Sequence, residues 1–425
     1  MMPSGSKTRR GFALVLTIGL LALLVLAVYA LSALVRVNAQ TATAGVAQMQ
    51  ARQNALLGLN LALGELQRLA GNDSRVTGMA GVAGMPASTQ MRHWCGVWDA
   101  GGIFRGWLTS GAALSPTPTL TTSSVIQLVE ANSVGQRPGT ASAYADEEYV
   151  DAGKVAIVSF DTSGVSGISG NYAYWVGDEG VKVSAAVPTV SPSGAIQILT
   201  ASAPVSVARV TTAFAQFDSA DARKVVAFEQ ATNLEYAANS KLTVTSLKDG
   251  FHHVTLLHQA VSSDGSRLEG GRVNINTTSA VVWRSLVESF NAASGTKFGT
   301  TGKITSATNS IANNIAGSSS GKSANGPFLS VASFGGSSLL SSAITGTNGV
   351  SVAQFMAVLG PTLTVRSDTF RIRAYGEVIN PADGTTVEAL AYCEAIVQRT
   401  PDTAPNGLGR RFVVTYFRWL GPGDI

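Results

Sequence analysis

An uncharged apolar segment near the N-terminus constrains this chain more than any other feature. Between Arg10 and Arg36 lie 25 residues without a charged side chain. At a helical rise of about 1.5 Å per residue, the segment can cross a hydrocarbon layer of about 30 Å. Lys7, Arg9 and Arg10 precede it and no acidic residue does. The positive-inside rule therefore predicts a single-pass protein with a cytoplasmic N-terminus and the remaining chain on the other side.

Three kinds of N-terminal segment have this general form. A cleaved secretory signal has an apolar core of about 7 to 15 residues before a small-x-small site. Here the run is longer, and the one acceptable site, residues 37–39, has Arg36 beside it. Residues 8–14 fit a loose twin-arginine signal, which requires an exported cofactor enzyme. In the third kind a short basic stretch ends in Gly, Phe follows, and the apolar helix begins at once. Residues 7–16, KTRRGFALVL, fit this form.

This leader resembles that of type IV pilins and of the pseudopilins of type II secretion. The resemblance implies cleavage between Gly11 and Phe12 by prepilin peptidase in the bacterial inner membrane, followed by N-methylation of Phe12. It also implies that the apolar helix is first a membrane anchor and then the contact to other pilin or pseudopilin subunits. The exported domain would then lie in the periplasm or outside the cell.

One position departs from the major pilins. These carry Glu at the fifth residue after the cut, where the carboxylate is thought to meet the N-terminal ammonium of a neighbouring subunit. Here that residue is Leu16. A subunit without this Glu resembles the large K-type pseudopilin and certain minor pilins, which sit at a filament tip.

The charge distribution argues against a nucleic-acid partner. The formal net charge is +4, from 30 basic and 26 acidic residues. Four of the basic residues lie in the N-terminal segment, which leaves 26 basic residues against 26 acidic ones. The exported part is therefore neutral, without the clustered basic face that nucleic-acid binding requires.

Periodicity extends the N-terminal helix well beyond the apolar segment. Leu56, Leu59, Leu63 and Leu66 recur at intervals of three and four, which marks one helical face. The residues after Ala70, Gly-Asn-Asp, form a C-terminal stop. After a leader at residues 1–11, the sequence predicts a spine helix over 12–70, of which 12–35 crosses the membrane and the rest is amphipathic.

The later chain carries strand signals and predicts an α+β fold, with the spine helix packed on an antiparallel β-sheet. Residues 71–272 form a first β-rich part, and residues 361–425 form a C-terminal antiparallel meander. Alternating, β-branched or aromatic residues mark the expected strands at 155–160, 172–176, 181–187, 370–375, 387–397 and 411–419.

Between these parts the sequence predicts an inserted, partly helical segment over 273–360. The stretch Val273-Asn274-Ile275-Asn276-Thr277 resembles the place where K-type pseudopilins carry a helical subdomain. Residues 279–291 and 352–359 are compatible with helix. Residues 292–326 are rich in Gly, Ser, Thr and Asn, so we expect them to bury little apolar surface and to leave the subdomain small or interrupted.

The two cysteines, Cys95 and Cys393, leave two alternatives open. Both fall on the exported side, where disulfides persist, and neither has C-x-x-C spacing. They form one long-range bridge, or they are two buried thiols that act as small hydrophobic side chains.

No metal or cofactor site is predicted. His252, His253 and His258 lack an acid or Cys at a zinc-site spacing, and residues 146–148, Asp-Glu-Glu, are typical of a solvated acidic turn rather than of calcium ligands. Matches to catalytic motifs at 317–321 (G-x-S-x-G), 321–323 (GKS) and 294–297 (S-x-x-K) lack their structural context. We therefore expect no enzyme.

The sequence predicts a minor, tip-type pilin or pseudopilin-like structural subunit of a type IV pilus or type II secretion filament. A second hypothesis is a membrane-anchored surface adhesin or binding module that uses the long helix only as a stalk and enters no filament.

Overall fold

The computed structural model describes residues 9–85, 90–130, 132–134, 148–160, 166–184, 248, 250–255, 272–293, 298–315, 326–345 and 349–425. Outside the described residues lie most of the leader (1–8), His258 and the three catalytic-motif matches.

A single helix, α1, spans Arg9–Ala70. Its 62 residues correspond to roughly 93 Å at the α-helical rise. Ala and Leu dominate it, and both favour helix. The helix ends where Gly71 interrupts it, with the Gly71 amide donating to the Gln67 carbonyl at 3.2 Å. The predicted extension of the helix to Ala70 is confirmed.

The largest sheet has five strands in the order β14-β13-β12-β7-β6, with every neighbouring pair antiparallel. Its strands are β6 Val155–Phe160, β7 Ser166–Asp178, β12 Thr369–Ile379, β13 Val387–Thr403 and β14 Arg410–Leu420. Ala374 on the central strand lies opposite Tyr174 on one side and Cys393 on the other. The C-terminal meander thus completes the sheet begun by β6 and β7, and the predicted α+β class is confirmed.

Alternation along the strands sorts side chains onto two buried faces. Tyr174, Ala374 and Cys393 belong to one apolar cluster, shared with α1. Their chain neighbours Trp175, Tyr375 and Tyr392 belong to a second cluster on the other face. Because successive residues of a strand point to opposite faces, one sheet supports both cores.

The face away from α1 carries a buried ionic network. Arg371 Nη1 and Arg373 Nε each lie 2.9 Å from a Glu394 carboxylate oxygen. Arg418 Nε lies 3.2 Å from the same carboxylate. Arg371 Nε also reaches Glu179 at 3.1 Å. Strict alternation at 370–375 therefore does not produce a solvated polar face, because loops and helices cover it.

Short strands form four smaller sheets. They are β1 Val76–Met79, β2 Cys95–Trp98 and β3 Phe104–Trp107 in one antiparallel sheet, β4 Val125–Val129 with β5 Val150–Gly153, β8 Val183–Ser184 with β9 Val254–Thr255, and β10 Val273–Asn274 with β11 Leu363–Thr364. The prediction that a strand at 181–187 belongs to the main sheet was wrong. Only β8 forms there among the described residues, and it pairs in parallel with β9, outside the main sheet.

Five helices occur between β10 and β11 among the described residues. They are α2 Ala280–Ala293, α3 Thr301–Ile315, α4 Val331–Gly335, α5 Ser338–Thr345 and α6 Val352–Leu359. Because β10 and β11 pair in parallel, the chain enters and leaves this helical segment at neighbouring points. Short 3-10 turns complete the described structure at Ala80–Ala83, Gly360–Thr362 and Pro405–Gly407.

The expectation that residues 292–326 bury little apolar surface was wrong for α3. Ile304, Ala307, Ile311 and Ile315 are all buried in the core. These few apolar residues recur at intervals of three and four, so the helix gathers them on one face despite the polar composition. A count of residue types in 292–326 does not show this apolar stripe, because it depends on their spacing.

Candidate membrane and assembly helix

The N-terminal half of α1 packs against none of the other described residues. Every residue from Phe12 through Val46 is exposed, and Ala47 is the first buried one. Phe12 and Leu16 expose 73% and 58% of their surface. By length and composition, α1 is the one helix among the described residues that could cross a membrane. An exposed apolar surface of this size is typical of sites that contact a membrane or another protein.

The C-terminal half of α1 packs along the five-stranded sheet. Its buried face is a stripe of small and branched side chains, namely Ala47, Ala51, Ala55, Leu59, Ala62, Leu66 and Leu69. Alanine lets a helix approach a sheet closely, since only a methyl group separates the two backbones. The remaining helical surface is polar or partly exposed, so this half is amphipathic as predicted.

The closest approach of helix and sheet is at Gly376 of β12. A Cβ on Gly376 would lie nearer than 3.0 Å to the Ala55 nitrogen and the Ala51 oxygen. Beside this contact, Asn54 Nδ2 donates to the Glu377 carbonyl at 2.8 Å. Glycine is therefore required at 376 for α1 to pack where it does.

Polar contacts fix the C-terminal end of α1. Arg399 Nη2 donates to the Gly71 carbonyl at 2.7 Å and to Asp73 Oδ1 at 2.7 Å. The Arg410 amide also donates to the Gly71 carbonyl at 2.7 Å, and Gln67 Nε2 reaches the Arg410 carbonyl at 2.7 Å. A cation at this end also complements the helix dipole. These contacts hold the C-terminal end of α1 against β13 and β14.

The residues of the predicted processing site all lie in α1. Gly11 and Phe12 are in its first turns, and Leu16 follows Phe12 by four residues, which places the two on one helical face. No charged side chain follows them until Arg36. Cleavage, methylation and the role of Leu16 remain predictions.

Cys95 and Cys393 are both free and buried in the core beneath α1. Cys393 Sγ faces the Ala55 carbonyl at 4.0 Å. Burial raises the pKa of Cys95 well above its usual value and raises that of Cys393 to about 12. Of the two alternatives, the structure has buried thiols acting as small hydrophobic side chains.

The interpretation of the acidic turn and the histidines needs correction. Glu148 is 7% exposed and therefore not solvated. Together with His93 and His252 it forms a cluster that could hold a metal ion, although no suitably placed acid was expected. Spacing rules see only neighbours in the sequence, whereas these residues meet through the tertiary fold. The one available signal was that His93 and His252 lie in apolar, aromatic surroundings.

No protein-family model matches this chain, and no curated protein matches it. Among solved structures, it is similar to a chain in the crystal structure of the GspK-GspI-GspJ complex from the type 2 secretion system of enterotoxigenic Escherichia coli. The TM-score is 0.30 and the sequence identity 12%, over 63% of this chain and 84% of that chain. This likeness is too weak to assign a family.

Proposed function

We propose that this protein is a minor, pilin-like or pseudopilin-like structural subunit of a type IV pilus or type II secretion filament. One observation carries the proposal: a single unbroken helix is bare and apolar over its first half and docked on an antiparallel sheet over its second half. A simple stalk needs only to cross the membrane. The packing of residues 47–70 along the sheet instead fixes the direction of the apolar half relative to the folded domain, as side-by-side packing of subunit helices in a filament requires.

In this proposal the chain begins as a single-pass protein of the inner membrane. Prepilin peptidase cuts between Gly11 and Phe12 on the cytoplasmic side, and Phe12 becomes N-methylated. The apolar half of α1 then exchanges lipid for the helices of other subunits. In both environments the helix satisfies its backbone hydrogen bonds internally, and its side chains make apolar contacts.

The proposed role is structural. The folded domain offers two packed apolar cores on one sheet, and one of them is shared with α1.

Mass mapping of the mature N-terminus tests the proposal. Membrane-extracted protein should begin at Phe12 and carry one added methyl group, and the same species should co-purify with sheared filaments or with other pilin-like subunits. A mature protein that begins at Met1 or Met2 and never enters a filament would instead support the anchored adhesin.

A further inference from the structure

Three buried side chains from distant parts of the chain meet on the sheet face away from α1. His93 precedes β2, Glu148 precedes β5, and His252 precedes β9. They expose 6%, 7% and 4% of their surface, respectively. One potential ligand atom from each lies within 4.8 Å of the other two. Trp175 Nε1 donates to the His93 carbonyl at 3.1 Å, which anchors the cluster to β7.

A hydrogen bond fixes which ring nitrogen of His252 is available as a ligand. His252 Nε2 lies 2.7 Å from the Glu148 carbonyl oxygen. Because a carbonyl only accepts, Nε2 must carry the proton and Nδ1 the lone pair. Histidine ligands commonly donate their second nitrogen to a backbone carbonyl in this way. His93 Nε2 is buried and faces the Glu148 carboxylate.

The separations suit a small ion with short bonds. His93 Nε2 lies 3.2 Å from Glu148 Oε2. Zinc bonds of about 2.0–2.2 Å in a tetrahedron place ligand atoms about 3.3 Å apart. The two imidazole rings are stacked, with 3.6 Å between their centroids and 1° between their planes. Because the lone pairs lie in these parallel planes, they converge on one ion only if the rings tilt apart. A cavity of about 10 Å³ borders both rings, and Cys95 and Asp178 also line it.

Nearby charges restrict which cation fits. Arg92 Nη1 lies 3.9 Å from Glu148 Oε1, and Lys182, held by Glu179 at 2.6 Å, borders the same cavity. The positive charges of Arg92 and Lys182 repel any cation that is held by electrostatic attraction alone. Calcium needs six to eight oxygen ligands, whereas two imidazoles and one carboxylate are a zinc-type set.

We propose that His93, Glu148 and His252 bind one structural zinc ion, which ties together the segments before β2, β5 and β9. The site is enclosed, so its role is to hold three loops on the outer face of the sheet rather than to activate a substrate. This inference does not depend on assembly into a filament.

Zinc uptake by the full chain in detergent tests the proposal. After stripping with EDTA, the protein should take up about one zinc per chain in equilibrium dialysis. At free zinc of about 100 times the dissociation constant, its unfolding equilibrium constant should fall about 100-fold, while calcium should have no such effect. A stripped chain that binds no zinc, or that calcium stabilises equally, overturns the proposal.

Matched variants locate the ligands. His252→Gln and the near-isosteric Glu148→Gln should each weaken zinc binding at least about 100-fold, more than loss of an outer partner does. The control is His253→Gln, which alters the adjacent buried histidine, bound to Ser279 Oγ at 2.8 Å, and should leave zinc binding unchanged. Cobalt substituted for zinc should show four-coordinate visible absorption in the wild type and the control. Equal loss of zinc in His253→Gln would contradict the assignment.

Discussion

Gly376 of β12 lies directly against the backbone of Ala55 in α1, so close that any Cβ at 376 would fall within 3.0 Å of the Ala55 nitrogen. Backbone atoms cannot move aside as a flexible side chain can. Residue 376 must therefore be glycine, which has no Cβ, for α1 to lie where it does on the sheet.

Gly376→Ala should force α1 away from the sheet and destabilise the folded domain. Overpacking of this kind costs about 1–3 kcal/mol, and more where backbone opposes it. Gly64→Ala is the control, because a Cβ there meets nothing within 4 Å and should stabilise the helix by about 0.5–1 kcal/mol. Denaturant unfolding in detergent measures both. Equal stability of the two variants would show that helix and sheet are not in close contact.

Glu394→Gln should be strongly destabilising. The change leaves Arg371, Arg373 and Arg418 around a neutral group, and breaking a buried ionic network in this way costs about 3–5 kcal/mol. Glu65→Gln, which removes an exposed pair with Arg68, should cost less than about 1 kcal/mol. Urea titration at pH 7 measures the free energy of unfolding of both variants. If Glu394→Gln lost no more of it than Glu65→Gln, the buried network would contribute nothing to stability.

The same carboxylate should contribute to acid unfolding. Burial opposes its ionisation, but Arg371, Arg373 and Arg418 outweigh burial and hold the pKa of Glu394 below its ordinary 4.5. Its stabilisation is therefore present above about pH 4.5 and is lost as the pH falls below that value. Between pH 5 and 2 the wild type should lose more unfolding free energy than Glu394→Gln does. Parallel pH profiles would contradict this.

Both thiols should be unreactive in the folded protein. Burial raises the pKa of Cys95 and Cys393, and only the thiolate reacts quickly with alkylating agents. Alkylation under native conditions should label neither, and alkylation in denaturant without reductant should label both. A peptide pair joined through Cys95 and Cys393 in non-reducing mass mapping would show the bridged alternative instead.

Gly11→Val should leave the precursor uncut, because Gly11 is the residue that follows the basic stretch and precedes Phe12. Gly19→Val, within the same apolar half and with nothing within 4 Å of a Cβ, should mature normally. Electrophoretic mobility and N-terminal mass distinguish precursor from mature protein. Normal maturation of Gly11→Val would remove the processing hypothesis.

Leu16 should restrict this subunit to one end of a filament. In an apolar helix bundle, a neighbour's N-terminal ammonium placed against Leu16 lacks a partner, at a cost of several kcal/mol. Leu16→Glu should permit internal positions. Leu20→Glu, one turn farther along the same face, should not. Labelled wild-type subunits distributed evenly along filaments would exclude the capping role, even with pilin-like assembly intact.

Local patterns in the amino-acid sequence are enough to predict the elements whose cause is local. The charge-free run, the Leu spacing and the stop at Gly71 specify α1, because helix formation depends on residues three and four apart. Alternation at 370–375 and 387–397 specifies β12 and β13 for the same reason, since strand pairing follows a period of two. These patterns were sufficient for the α+β class and for the helix-on-sheet arrangement.

Contacts between residues far apart in the sequence become visible only in the folded chain. Glu148 follows two acidic neighbours and has the sequence context of a solvated turn, yet packing brings it to His93 and His252. Arg371 and Arg373 occupy the polar positions of an alternating strand, yet covering elements bury them with Glu394. Local periodicity assigns a side chain to a face of its own element. Whether water or another part of the chain covers that face depends on contacts between residues far apart in sequence, which form only when the whole chain packs.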